Sequence, residues 1–419
     1  MYREIKLKNN LQVVTVPMRG TKTITVLVIV GTGSKYENKK NNGISHFLEH
    51  MFFKGTRKRP STLAISEELD SVGGEYNAFT AKEYTGYWVK VDSSKIELAL
   101  DIVSDMLLNS KMDTGEIERE KGVIIEEIKM YHDNPMMYIE DVFESCLYGD
   151  TPAGREIIGS KKNILAFKRN DFIDYISTQY SAGNTTVCLA GRLQNKDSLI
   201  NKYFSKLKYT DIKDKIKTRE LQTIPNIKLH YKKTDQATLS LGLRTFPINH
   251  KDEFILRILS IILGGSMSSR MFTEVRERRG LAYYVRTQSE FYTDTGYITT
   301  QAGVPVNKVE EAIKTILNEY KKITKTLVSD KELKRAKDLV KGRSVIQLES
   351  SDNMASWYAR QAVIRGKIIT PEELIKRINK VTPGSIRQVA KDVFQNKGLN
   401  LAVIGPFKDG KKFSKIVKL

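Results

Sequence analysis

Apolar positions along this chain fall into short runs and helical stripes, with no long block anywhere. Residues 11–17 and 23–31 are rich in Val, Ile and Thr and predict two strands. Within the second, residues 24–30 are apolar apart from Thr25, which predicts a buried strand. Residues 255–263 are apolar apart from Arg257 and Ser260 and predict a buried helix. A helical stretch and a Gly-rich turn lead into further strand over 75–91, after which the pattern is mostly helical to about residue 180. The second half repeats this order. Strand is predicted at 236–243, helix from Asp252, a Gly-rich turn, strands over 283–301, and then helices. Segregated strands and helices in one unit predict an α+β sandwich, with helices on one face of a mostly antiparallel sheet.

The two halves carry matching elements at one offset. NTTVCLAG at 184–191 and GLNLAVIG at 398–405 are extended runs closing on Gly, 214 residues apart. The helical segments before them, 170–180 and 383–394, end on Tyr180 and Phe394 at the same offset. Self-similarity at a fixed spacing marks duplicated architecture. Two homologous domains are therefore expected, at 1–210 and 225–419. Between them, 209–225 is rich in Lys and Asp and lacks apolar periodicity, as expected of a solvated linker.

Composition narrows the class. With 419 residues, 40% hydrophobic and 28% charged, the chain is long and apolar enough for real cores, which excludes a disordered or collagen-like protein. No apolar stretch approaches the ~18 residues of a spanning helix, so no membrane role is expected. The start, MYREIKLKNNLQVVTV, lacks an apolar signal region and reads as a first strand, so a cytoplasmic location is expected. Cys146 and Cys188 are the only cysteines and are expected to be buried free thiols. The net charge of +20 is unevenly placed: residues 1–210 carry 29 basic and 27 acidic side chains, residues 211–419 carry 40 and 22. The basic half has no aromatic platform or recognition motif for RNA, so nucleic acid is not an expected partner. Its charge reads as the surface of Lys-rich helices.

The chemistry concentrates in GISHFLEHMFFKGT at 43–56. Ser45 is a plausible N-cap for a helix. His46 and His50 then stand one turn apart on one face, where both imidazoles can meet one ion. Glu49 shares that face and is placed to take a proton from metal-bound water. This is the H-x-x-E-H order. A zinc site needs a third protein ligand. The stretch 116–130 supplies candidates on a helix whose core stripe is Ile117, Ile124, Ile125 and Ile128. Glu120 and Glu127 lie two turns apart on nearly one face, so one can bind the ion while the other orients a ligand. Spacing alone leaves Glu120, Glu126 and Glu127 all open.

These segments resemble the pitrilysin/insulinase family of zinc peptidases, in the branch of mitochondrial processing peptidase and its short bacterial relatives. HFLEHMFFKGT at 46–56 and the glutamate of VIIEEI carry the resemblance, which extends over nearly the whole chain. It implies one zinc per chain on His46, His50 and Glu127, with Glu49 as general base. Glu120 matches the family's second, supporting glutamate, and Glu126 a variable position. The resemblance further implies that Asn77 and Ala78, in GGEYNAFT at 73–80, lie on a strand that pairs with substrate backbone. The second half lacks H-x-x-E-H, but RERRGLAY at 276–283 is similar to the family's R-x-x-x-G-L-x-Y segment. Arg276 and Tyr283 are thereby implied to contact substrate and the tetrahedral intermediate from a metal-free domain. The implied fold is a half-clamshell of two domains, where the family encloses a chamber with four. The implied activity is a zinc metalloendopeptidase acting on peptides or unfolded segments. A second copy is the expected partner, with a metal-free relative as the alternative. A non-catalytic structural subunit of the same fold is the rival reading, and the intact H-x-x-E-H argues against it. The family's processing chambers favour basic leader peptides, and the charge of +20 departs from that pattern.

Overall fold

The computed structural model describes residues 2–193 and 197–419. Met1, part of the expected first strand, lies outside the described residues. The first sheet contains β1 (Arg3–Lys6), β2 (Gln12–Pro17), β3 (Thr23–Val30), β4 (Glu75–Thr80), β5 (Thr85–Asp92) and β6 (Thr185–Gly191). Their order across the sheet is β1-β2-β6-β3-β5-β4. β2 and β6 are parallel, and the other neighbours are antiparallel. β3 sits centrally and is buried along nearly its whole length. That explains a continuous apolar run where a half-exposed strand would alternate.

The second sheet contains β7 (Asn226–Tyr231), β8 (Gln236–Thr245), β9 (Tyr284–Phe291), β10 (Gly296–Pro305) and β11 (Leu399–Gly405). Its order, β7-β11-β8-β10-β9, reproduces β2-β6-β3-β5-β4 strand for strand. The parallel pair recurs as β7 with β11. β6 and β11 begin at Thr185 and Leu399, the spacing read from the sequence. The class is α+β in two homologous sandwich units, as expected.

Helices cover both faces of the first sheet, where one covered face was expected. α1 (Ile44–Met51), α2 (Thr62–Asp70), α3 (Ile96–Asn109), α4 (Thr114–Asp133) and α5 (Pro135–Tyr148) lead the helical part of the chain. α3 packs on β3 and β5. The opposite face, through Val14, Val16, Leu27, Ile29, Cys188 and Ala190, packs on the helix Ser351–Arg365. α5 plays the matching role for the second sheet, where Ile139 and Phe143 share a core with Tyr297, Ala402 and Ile404.

The compact units are therefore not contiguous in sequence. One consists of residues up to Ile128, Glu156–Ile216 and Ser344–Ile369; the other of Lys129–Arg155, Lys217–Arg343 and Thr370–Leu419. The expected domains, 1–210 and 225–419, are contiguous and so differ in two helical segments, each of which belongs with the other sheet. Helical periodicity shows that a face is buried and does not show against which sheet.

The stretch 209–225 has no helix or strand among its residues, yet its first part is docked and is not the solvated linker expected. Thr210 exchanges two hydrogen bonds with the Ser181 hydroxyl at 2.7 and 2.8 Å. Gln179 holds the Lys213 carbonyl at 3.0 Å. Lys215 lies 3.6 Å from the buried Glu83. Cys146 and Cys188 are free and buried, as expected. Among the described residues, no helix is long and apolar enough to cross a membrane.

Candidate metal centre

α1 buries Ile44, Phe47, Leu48 and Met51, an i, i+3, i+4, i+7 stripe toward the core. Ser45 is not its N-cap. The cap is Gly43, at φ +101°, and Ser45 lies within the helix, its hydroxyl 2.8 Å from the phenol of Tyr175. Only glycine fits at 43, because a Cβ there would come within 2.9 Å of the Gly159 Cα and the Ile158 carbonyl oxygen. The N–H groups of Gly43 and Ser45 are taken by a remote carboxylate, Glu37. Opposite the core stripe stand His46 and His50, their ring centroids 4.7 Å apart.

α4 brings the third donor. Ile117, Ile124 and Ile128 are buried, while Ile125 is only half-buried. This rotation separates the three glutamates. Glu120 is buried, Glu127 is half-buried beside the imidazoles, and Glu126 is exposed. Glu127 Oε1 lies 3.6 Å from His46 Nε2, and its Oε2 lies 3.5 Å from His50 Nε2. One donor atom from each of His46, His50 and Glu127 lies within 4.8 Å of the others. Four ligands at the ~2.0–2.1 Å of a tetrahedral zinc site stand about 3.4 Å apart. Two imidazoles and a carboxylate at this spacing fit that ion. Among the described residues no other cluster of this kind occurs.

Glu120 supports the set from behind. Its Oε1 lies 2.8 Å from His50 Nδ1, and its Oε2 lies 2.5 Å from Lys54 Nζ. Burial pushes the His50 pKa down, but the Glu120 hydrogen bond and the charges of Glu127 and Glu120 outweigh it and leave it raised. Burial would raise Glu120, yet His50 and Lys54 hold it below the ordinary value. Glu127 is likewise lowered against its own burial, by His46 and His50. Both carboxylates are thus ionised at neutral pH, the form that ligates. His46 differs from its neighbour: its Nδ1 is buried and has no hydrogen-bond partner among the described residues.

Glu49 accepts a 2.5 Å hydrogen bond from the hydroxyl of Thr80, the last residue of β4. Residue spacing carries no trace of this contact, nor of Lys54 or Glu37. The lysine and the threonine each stand within the motif segments already singled out, but pairing across the fold is needed to give them roles.

The sequence model described as Insulinase (Peptidase family M16) matches residues 12–161, and that of the Peptidase M16 inactive domain matches 166–340. The chain is 34% identical over 410 residues to the uncharacterized zinc protease YmxG of Bacillus subtilis, covering 97% of this chain and 98% of that one. It is 35% identical over 405 residues to an uncharacterized zinc protease of Rickettsia felis, covering 96% and 97%. This chain belongs to the insulinase family, M16. The M16 fold is shared with a protease from Helicobacter pylori at TM-score 0.91 and 24% identity, covering 97% of this chain and 99% of that one. It is shared also with a peptidase M16 inactive domain from Pseudomonas fluorescens at TM-score 0.89 and 17% identity, covering 97% and 98%.

In this M16 chain, Asn77 and Ala78 lie on β4, an edge strand paired on one side with β5. Asn77 is exposed, and its Oδ1 accepts the Ala78 N–H at 2.8 Å. The strand ends at Thr80, so the sheet edge leads to Glu49. Arg276 and Tyr283 belong to the other unit, where the structure brings them to each other. Arg276 lies in the last turn of a π-helical segment, Phe272–Glu277, and stands over the rings of Phe272 at 4.8 Å and Tyr283 at 5.7 Å. Tyr283 is 76% exposed, so the phenol is presented outward and is not the core aromatic its type would suggest.

Proposed function

We propose that this chain is a zinc metalloendopeptidase that hydrolyses peptides or unfolded polypeptide segments, with one zinc per chain. The observation that carries this reading is the convergence of His46, His50 and Glu127, with Glu49 one residue before the second imidazole on the same short helix. His46, His50 and Glu127 would hold the ion, and Glu120 orients His50 through its Nδ1. When bound, zinc supplies the Lewis acidity that brings the pKa of a water toward about 7. Glu49, steadied by Thr80, takes the proton of the attacking water and returns it to the leaving amine. The free edge of β4, at Asn77 and Ala78, pairs with an extended substrate, which selects against folded proteins. Arg276 and Tyr283 donate hydrogen bonds to the developing oxyanion. A second copy of this chain completes the chamber and brings those two residues to the neighbouring zinc. Support for a homodimer is that the metal set and the Arg–Tyr pair occur in one sequence. A cytoplasmic location belongs to the same reading, supported by two thiols that are free and unpaired.

The test is turnover of quenched peptides with zinc content measured in the same samples. Wild type is expected to cleave and to stop with chelator, and Glu49→Gln to keep its zinc and lose turnover. A wild type that carries no metal refutes the reading. Zinc in both proteins with cleavage in neither would assign the chain to a complex with a metal-free relative or to a structural role.

A further inference from the structure

His50 and His46 are held in different ways. His50 is fixed through its own ring by Glu120. His46 has no such bond at Nδ1, so its position depends on packing and on the backbone of its turn. That turn is the first of an eight-residue helix. First-turn N–H groups have no partner inside the helix, and a short helix has few bonds to offset the cost of its nucleus.

Glu37 supplies what the turn lacks. Its side chain is 2% exposed. Its Oε2 accepts the Gly43 N–H at 2.7 Å, and its Oε1 accepts the Ser45 N–H at 2.8 Å. Asn42 Nδ2 adds a third bond at 3.0 Å and is itself tied to the Glu156 carbonyl. A carboxylate here also meets the positive end of the helix dipole. The segment carrying Glu37 is anchored in turn. Ser34 and Lys35 donate their N–H groups to the carbonyls of Ala81 and Lys82, in the turn between β4 and β5. Lys35 Nζ lies 3.0 Å from Glu83, with both side chains buried. Gly33 passes so close that a Cβ would stand 2.1 Å from the Ala81 oxygen. The turn that follows Thr80 therefore also anchors the segment from which Glu37 reaches α1.

We infer that Glu37 is a positioning residue of the metal centre: its carboxylate clamps the first turn of α1 and so sets where His46 stands relative to His50 and Glu127. The inference rests on the metal-site reading and goes beyond it, since no atom of Glu37 has to touch the ion or the substrate.

Cobalt(II) titration of the full-length apo protein, read by visible absorption alongside the thermal midpoint, tests this. Glu37→Gln loses one of two acceptor oxygens at nearly constant shape. It is expected to bind cobalt at least about tenfold more weakly, the range seen when groups behind a metal ligand are removed, and with an altered absorption band. Glu37→Asp keeps the charge one methylene shorter, is expected to show the same direction, and decides the matter if Glu37→Gln does not fold. Cys188→Ala, a cavity in the core of β6, is the control that costs stability away from α1; it is expected to keep wild-type affinity and spectrum. Wild-type affinity and spectrum in folded Glu37→Gln and Glu37→Asp overturn the inference. So does an equal loss of affinity in Cys188→Ala at a matched thermal midpoint. A wild type that takes up no cobalt removes the metal site itself and the inference with it.

Discussion

Replacing Glu120 with Gln separates Glu120, Glu126 and Glu127, three of the glutamates of α4, by what each would do to the proposed ion. Glu120 shares its two oxygens between His50 Nδ1 at 2.8 Å and Lys54 Nζ at 2.5 Å, and its side chain is only 5% exposed. Gln can still accept from the imidazole, but the charge is gone, and its amide would face the Lys54 ammonium donor to donor. A hydrogen bond to a charged group contributes about 1.5–3 kcal/mol. At about 1.4 kcal/mol per tenfold change, that is about 10- to 100-fold in metal affinity. Loss of groups behind a ligand elsewhere spans the same range. The assay is zinc competition against a chromophoric chelator at fixed pH. Glu120→Gln is expected to weaken zinc by that factor. Glu127→Gln alters the proposed third ligand and is expected to weaken it far more. Glu126→Gln, on an exposed side chain, is expected to match wild type. The reasoning is refuted if Glu120→Gln binds zinc as wild type does, or if Glu126→Gln behaves like Glu127→Gln.

Arg59, 1% exposed, reaches Asp105, Asp101 and Glu68 at 3.0, 2.6 and 2.7 Å. Arg59→Ala leaves the buried Asp105 uncompensated and is expected to cost about 3–5 kcal/mol in urea unfolding; a loss under about 1 kcal/mol would contradict this. Burial pushes Asp101 up, but Arg59 and Lys58 outweigh it and hold it below the usual aspartate range. Its contribution to stability is therefore present above the unfolded aspartate value and lost as pH falls through the lower folded value. The stability gap between wild type and Arg59→Ala should narrow below about pH 4, and a gap that widens there would reverse the sign. Gly43→Ala places a side chain at φ +101° against the backbone of residues 158–159. It is expected to cost at least about 1–3 kcal/mol and to weaken zinc, both measurable on one purified sample; unchanged stability would show that the turn can move aside.

The helix α1, with its two histidines, was legible because its evidence is local. Four apolar residues at helical spacing and two imidazoles one turn apart are properties of eight consecutive residues. The duplication was legible for a related reason: β6 and β11 are the buried, nearly continuous strands, and such runs keep their pattern wherever they pack. Ser45 misled because a serine before an apolar run is the ordinary cap, whereas here the cap bonds come from Glu37, six and eight residues earlier. The stretch after Tyr209 looked like a free linker because its anchors, Ser181 and Gln179, bond its backbone and leave no mark on its composition.

The sequence by itself determined the family, the α+β class, the repeated strand pattern and the pair of histidines with a glutamate between them. Each follows from short-range periodicity or from a compact motif, and neither needs to know what lies across the fold. Tertiary structure alone decided that Glu127 meets the imidazoles while Glu120 stands behind His50. The seven-residue separation puts both on one face of α4, and only the rotation of that helix against α1 assigns them different work. It alone brought Thr80 to Glu49 and Glu37 to the first turn of α1. It alone sent α5 to the second sheet and the helix Ser351–Arg365 to the first. A buried helical face records that it is covered; the covering surface is chosen by long-range packing, which no local period encodes.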